Sequence, residues 1–359
     1  MANDDLVHPS GVRLRPELAG VPDYRAGRPA PDGAHKVSSN ENPYPPLPGV
    51  LEAATRAAEQ MNRYPDMGNT ALYEALSGRL GVPTEQLALA TGSVALIYQL
   101  VQAFCEPGDE VVYAWRSFEA YPIAVTATGA MSVQVTVRAD GHHDLDAMVA
   151  AITDRTRVVL VCTPNNPTGP SVTQAELDAF LARVPERVLV VVDEAYVEFV
   201  RMHDPVDGLA TMRAHANVVS TRTFSKAYGL AGFRVGYAVG PAEIVGALRA
   251  VSLPFGVSNV AQAAAVASLE AEPQLLERVA ALVAERERVL EGLAATGVVV
   301  PEAQGNFVWF ATGDRTAEFA AAADDLGIVV RPFAGEGARV SVGEPEANDR
   351  VIALARSFA

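Results

Sequence analysis

Between about residues 50 and 255, short apolar runs alternate with longer stretches of helical periodicity. Glu110–Tyr113, Ser132–Val137, Val158–Cys162, Val188–Val192 and Val218–Ser220 are rich in Val, and several carry no polar alternation at all. A strand of that kind is buried on both faces, the condition of a parallel sheet covered by helices. Helix candidates lie between the runs. The clearest is Thr173–Arg183, where Thr173 precedes Glu176 in the form of a capping box. Strand–helix–strand alternation predicts an α/β architecture with a largely parallel sheet.

After Val257 the pattern changes. Ser258 to about Ala295 is rich in Ala, Leu and Glu, with Pro273 its one proline, and predicts one or two long helices. Short strands are expected at Val298–Val300, Phe307–Phe310, Ile328–Val330 and Arg339–Val342, and helices at Thr316–Leu326 and Asn348–Phe358. The chain therefore divides into an irregular N-terminal arm (1–45) that joins the smaller domain, a large α/β domain (46–257) and a small α+β domain (258–359).

Composition narrows the function. A 359-residue chain with 49% hydrophobic and 20% charged residues is a soluble globular protein. Its net charge of −15 argues against a duplex-binding surface, which needs clustered cations, and against anionic membranes. No apolar run approaches the ~20 residues of a membrane span, and Met1–Ser10 has no apolar core of a secretory signal, so a cytoplasmic protein is expected. Cys105 and Cys162 supply neither a disulfide framework nor a metal site. His142-His143 lacks a third ligand at diagnostic spacing and reads as a solvated turn, so no metal is expected. Of the 28 Lys and Arg residues, only Lys36 and Lys226 are lysine. An ammonium can lose its proton and attack a carbonyl, whereas a guanidinium stays charged.

Three successive strands end in polar sequence. Val158–Cys162 leads into Pro164-Asn165-Asn166-Pro167-Thr168-Gly169, Val188–Val192 into Asp193-Glu194-Ala195-Tyr196, and Val218–Ser220 into Thr221 through Lys226. Ligands in open α/β sheets bind beyond the carboxyl ends of the strands. Singly, Asn166 is an ordinary turn residue, Asp193 a cap and Tyr196 packing. Together they predict a crevice holding an amide, a carboxylate, a phenol and the rare lysine.

Ser225-Lys226-Ala227-Tyr228-Gly229-Leu230-Ala231-Gly232-Phe233-Arg234 resembles the lysine signature of the fold-type I, pyridoxal-phosphate-dependent aminotransferases. Asn165–Gly169 and Asp193–Tyr196 resemble two further motifs of that family, in the same order. The likeness runs from Asn40-Glu41-Asn42-Pro43 to Arg339–Gly343. The chain is most similar to the histidinol-phosphate aminotransferase branch. Within it, Asn62–Asp66 and Trp115–Pro122 resemble the actinobacterial aromatic amino acid (phenylalanine) aminotransferases.

The resemblance implies pyridoxal 5'-phosphate held by Lys226 as a Schiff base, with Lys226 then acting as the acid/base. Asp193 would pair with the pyridine nitrogen, and Tyr196 and Asn166 with the phenolic oxygen. Arg234, Ser225, Thr223 and the turn Gly92, Ser93 and Val94 would hold the phosphate. Phe118 would stack on the ring, with Trp115 its neighbour and competitor, and Tyr64 would reach the phosphate of the other subunit in a homodimer. Arg339, assisted by Arg331, would grip the substrate's acidic group, with Tyr24 and Asn42 closing over it. The expected reaction is transamination between an aromatic L-amino acid (phenylalanine, tyrosine) and a 2-oxo acid. Histidinol-phosphate transamination is the alternative. A decarboxylase on the same fold, or a regulator that has lost catalysis, ranks behind both.

Overall fold

The structure is a computed structural model, and it describes residues 11, 12, 15–18, 21, 24 and 27–359. Strand β1 (His35–Lys36) comes first. Seven further strands build the central sheet: β2 (Leu87–Ala90), β3 (Glu110–Trp115), β4 (Met131–Thr136), β5 (Thr156–Cys162), β6 (Leu189–Asp193), β7 (Val218–Thr223) and β8 (Gly236–Val239). Their order is β2-β8-β7-β6-β5-β3-β4, with only β8 running against its neighbours.

The apolar runs explain the layering. Val111, Tyr113, Val158, Leu160 and Val191 face one core with Leu96, Leu100, Tyr121 and Leu248 from the covering helices. Their neighbours Val112, Val159, Val161, Val190 and Val192 face the other core, against Leu72, Leu177, Phe180 and Phe199. A period of two on a strand apolar at every position fills both sides at once.

Three strands form a smaller antiparallel sheet, β9 (Phe307–Phe310), β11 (Arg331–Phe333) and β12 (Gly337–Ser341), with β12 in the middle. Between β9 and β11 in the chain, β10 (Ile328–Val329) pairs in parallel with β1, which ties the N-terminal segment to the C-terminal elements. The helix Glu272–Thr296 runs through both regions. Leu275, Val279 and Leu282 lie in the large core, and Val289 and Leu293 in the smaller one.

The helix signals correspond to real caps. Thr173 and Glu176 close the expected capping box, and the Ser258 side chain accepts a hydrogen bond from the Ala261 amide at the start of Asn259–Glu270. Several expectations are corrected. Val298–Val300 forms no strand, since no neighbouring strand pairs with it and Val299 is 91% exposed. β2, β8 and β11 were not anticipated. The turn at His142-His143 is not fully solvated, because His143 is buried.

Candidate active site

The carboxyl ends of β5, β6 and β7 open onto one cleft of 510 Å³. Each strand delivers a different chemistry to it. β6 ends in Asp193, only 4% exposed, whose carboxylate accepts hydrogen bonds from the Tyr121 hydroxyl at 2.7 Å and the Thr221 hydroxyl at 3.1 Å. Burial raises its pKa and these two donors oppose the rise, so an acid is kept where a cation placed opposite would hold it ionised.

Lys226 follows β7. Its Nζ donates to the Ser39 carbonyl at 3.0 Å and lies 5.7 Å from the centre of the Tyr196 ring. Burial first, then the positive charge of Arg339, pull its pKa down to about 7, with Glu41 pulling the other way. A large share of this amine is therefore unprotonated, and nucleophilic, near neutrality. Tyr196 is buried edge-on against Phe307, and its hydroxyl accepts from the Asn40 side-chain amide at 3.0 Å. Burial raises the pKa of this phenol, which keeps its proton.

On the third side, Asn166 and Arg339 meet. Arg339 donates to the Asn166 side-chain oxygen at 2.5 Å and to the Ser38 carbonyl at 2.6 Å, and its buried Nε has no partner among the described residues. Both partners are neutral, so they orient the guanidinium without cancelling its charge. An arginine so held is ready for a carboxylate.

An anion site lies at the N-terminus of the helix Ser93–Phe104. Gly92 caps it without any side-chain hydrogen bond, which leaves the first amides free. Two glycines make the approach possible. A Cβ on Gly92, at φ +85°, would stand 2.6 Å from Arg234 Nη2, and one on Gly236 would stand 2.4 Å from the Ser93 nitrogen. Arg234 donates to the Ser225 hydroxyl at 3.3 Å, and the Thr223 hydroxyl accepts from the Ser225 amide at 3.1 Å.

Most of the expected residues meet here. Ser93, Val94, Phe118, Asn166, Asp193, Tyr196, Thr223, Ser225, Lys226, Arg234, Arg331, Arg339 and Tyr24 all line the cleft. Trp115 does not. It stacks under the Arg116 guanidinium at 4.4 Å, which leaves Phe118 as the aromatic side chain available from that loop. Asn42 does not line the cleft either, because its amide donates to the Ala227 carbonyl at 2.8 Å and its oxygen accepts from the Tyr44 amide. Tyr64 is 81% exposed, stacked on Phe255 away from this cleft.

Other participants were not anticipated. Asn40 is buried in the left-handed region at φ 52°, which Asn tolerates, and connects Tyr196 to Ser341 of β12. Ser38 and Ser39 contribute carbonyls, Tyr121 supports Asp193, and Glu119 pairs with Arg331. For Asn40, Glu119 and Tyr121 the one sequence signal was position inside the quoted motifs Asn40–Pro43 and Trp115–Pro122; Ser38 and Ser39 lie just outside them and carried none. Among the described residues no cluster of His, Cys, Asp and Glu fit for a metal occurs, and no helix is long and apolar enough to cross a membrane.

Comparison with known proteins agrees with this geometry. Residues 34–354 match the family described as aminotransferase class I and II. An aromatic amino acid aminotransferase of Streptomyces coelicolor is 58% identical over 349 residues, covering 96% of this chain and 97% of that protein. One from Thermobifida fusca is 53% identical over 348 residues, covering 96% and 97%. Among solved structures, histidinol-phosphate aminotransferase from Sinorhizobium meliloti, in complex with pyridoxal-5'-phosphate, superposes with a TM-score of 0.86 at 29% identity, covering 97% of this chain and 98% of that one. A lysine with a depressed pKa, a buried carboxylate and an uncompensated arginine around one cleft, on a chain matched to the family over nearly its whole length, have one explanation: this protein belongs to the class I and II aminotransferases, with their fold-type I architecture.

Proposed function

We propose that this enzyme transfers the amino group of an aromatic L-amino acid, phenylalanine or tyrosine, to a 2-oxo acid, with pyridoxal 5'-phosphate held by Lys226. The residues present fit that cofactor. The free amides at Ser93 and Val94, with Arg234, Ser225 and Thr223, form a cradle for a phosphate dianion. Asp193 is a buried acid suited to a protonated ring nitrogen, Tyr196 and Asn166 are suited to a phenolic oxygen, and Phe118 offers a ring face. Bound there, the cofactor supplies an aldehyde and an electron-withdrawing ring that stabilises negative charge at the substrate's α-carbon.

The remaining work falls to the chain. Arg339 binds the substrate's α-carboxylate through its fork, fixing the Cα–H bond relative to Lys226. Lys226 Nζ, unprotonated in part at neutral pH, takes the α-proton and returns it on the far side of the reaction. Burial around Tyr196 and Asp193 keeps competing water out.

The observation that carries the aromatic reading is the 58% and 53% identity to proteins of that specificity, far above the 29% shared with the histidinol-phosphate enzyme. The rings of Tyr24 and Phe333 along the cleft support it. We place the enzyme in the cytoplasm and assign it a homodimer, in which Tyr64 serves the neighbouring site. Met67, Leu253 and Phe255 line one groove beside Tyr64, an apolar surface suited to a second copy. Side-by-side turnover of phenylalanine and histidinol phosphate by the purified holoenzyme tests the reading. A higher kcat/KM for phenylalanine is expected, and preference for the phosphate ester overturns it.

A further inference from the structure

Two arginines stand side by side in the cleft and are treated differently by their surroundings. Arg331 on β11 and Arg339 on β12 are direct partners in the antiparallel register. Like charges placed opposite one another repel, and each adds to the pull on a passing anion. Arg339 is held by two neutral oxygens and, among the described residues, retains a buried Nε without a partner. Arg331 instead donates through Nη2 to the Glu119 carboxylate at 2.7 Å, with both residues partly buried, and its guanidinium lies 5.6 Å from the Phe333 ring. Glu119, Arg331 and Phe333 all line the same cleft as Arg339.

We infer that Glu119 is a specificity-determining residue: by neutralising Arg331 it leaves Arg339, of this facing pair, as the arginine without an acidic partner among the described residues, free for the α-carboxylate, and makes the adjoining space suited to an uncharged side chain. This rests on the aromatic reading above and supplies its physical cause. Without Glu119, two adjacent free guanidinium groups would favour substrates carrying two anions, a dicarboxylic amino acid or a phosphate ester. With it, a second anion must compete with a carboxylate already in place, while a ring loses nothing by meeting Phe333 and a paired charge.

The test compares the wild-type holoenzyme with Glu119→Gln and with the double variant Glu119→Gln/Arg331→Leu. The quantity measured is the ratio of kcat/KM for aspartate and histidinol phosphate to kcat/KM for phenylalanine. Calorimetric binding of succinate against 3-phenylpropionate reads the same preference without turnover. Freeing one charge-assisted contact corresponds to a rise of about tenfold or more in both ratios for Glu119→Gln, and the double variant returns them to near the wild-type value. If Glu119 only relieves strain between two arginines, the single variant loses activity on all substrates alike and the ratios stay put, which overturns the inference while leaving the aromatic reading intact. A rise that persists in the double variant also overturns it, since Arg331 is then not the group released. A wild type that prefers the phosphate ester sinks both.

Discussion

The amine of Lys226 is reactive only without its proton, so its surroundings set the pH at which the site can be loaded. Burial and Arg339 bring its pKa to about 7. Because the folded pKa is lowered, the neutral form dominates above that value and the charged form below it. With Lys36→Arg leaving a single lysine, the rate at which the cofactor-free protein forms a borohydride-trappable adduct with pyridoxal phosphate should rise between about pH 6 and pH 8 and then level off. A rate that keeps climbing past about pH 9 without levelling off would show that the environment does not perturb this amine. Asp193 depends on its own supporting contact. Tyr121→Phe removes the 2.7 Å hydrogen bond from the phenol to the carboxylate, and burial then acts on Asp193 with less opposition. A fall of about tenfold in kcat, from the ~1–1.5 kcal/mol of one such bond, is expected with the fold intact by circular dichroism. An unchanged kcat would make Tyr121 a packing residue only.

Strand ends and helix starts do the positioning. Gly92 lets the Ser93–Phe104 helix begin beside Arg234, and Ala at that position meets both a φ of +85° and a guanidinium nitrogen at 2.6 Å. Gly92→Ala should therefore weaken equilibrium binding of pyridoxal phosphate by about ten- to a hundredfold, the scale of ~1–3 kcal/mol of local strain, as read by titration of the cofactor-free protein. Retained affinity would move the phosphate elsewhere. These elements were unevenly legible. β3 through β7 could be read because strands buried on both faces are apolar at every position, and the crevice because three of them end in chemistry. β2, Leu-Ala-Leu-Ala, consists of residues that favour helices as readily as strands, and β8 is short and follows a loop. Val298–Val300 had the right composition but no partner, and pairing is what makes a strand. Asn40, Ser38 and Glu119 act through contacts with residues some 150 to 300 positions away, and nothing local in the chain announces these.

At the scale of the whole molecule, the proposed homodimer gives a sharp expectation. Mixing Lys226→Ala with Tyr64→Ala after reversible dissociation should generate hybrids with one complete site, restoring up to about a quarter of the wild-type sites. No gain over the sum of the parents would confine Tyr64 to its own subunit. The helix Glu272–Thr296 has a different consequence. It inserts Leu275, Val279 and Leu282 into one core and Val289 and Leu293 into the other, and fully buried Arg286 at its middle donates to the Phe199 and Gly305 carbonyls. Neither region can melt without unwinding a rod that the other is gripping. The two should therefore lose structure together, as one calorimetric peak, and Arg286→Met should lower that peak as a unit; a second, separate peak would mean that the rod breaks in the middle before either end lets go.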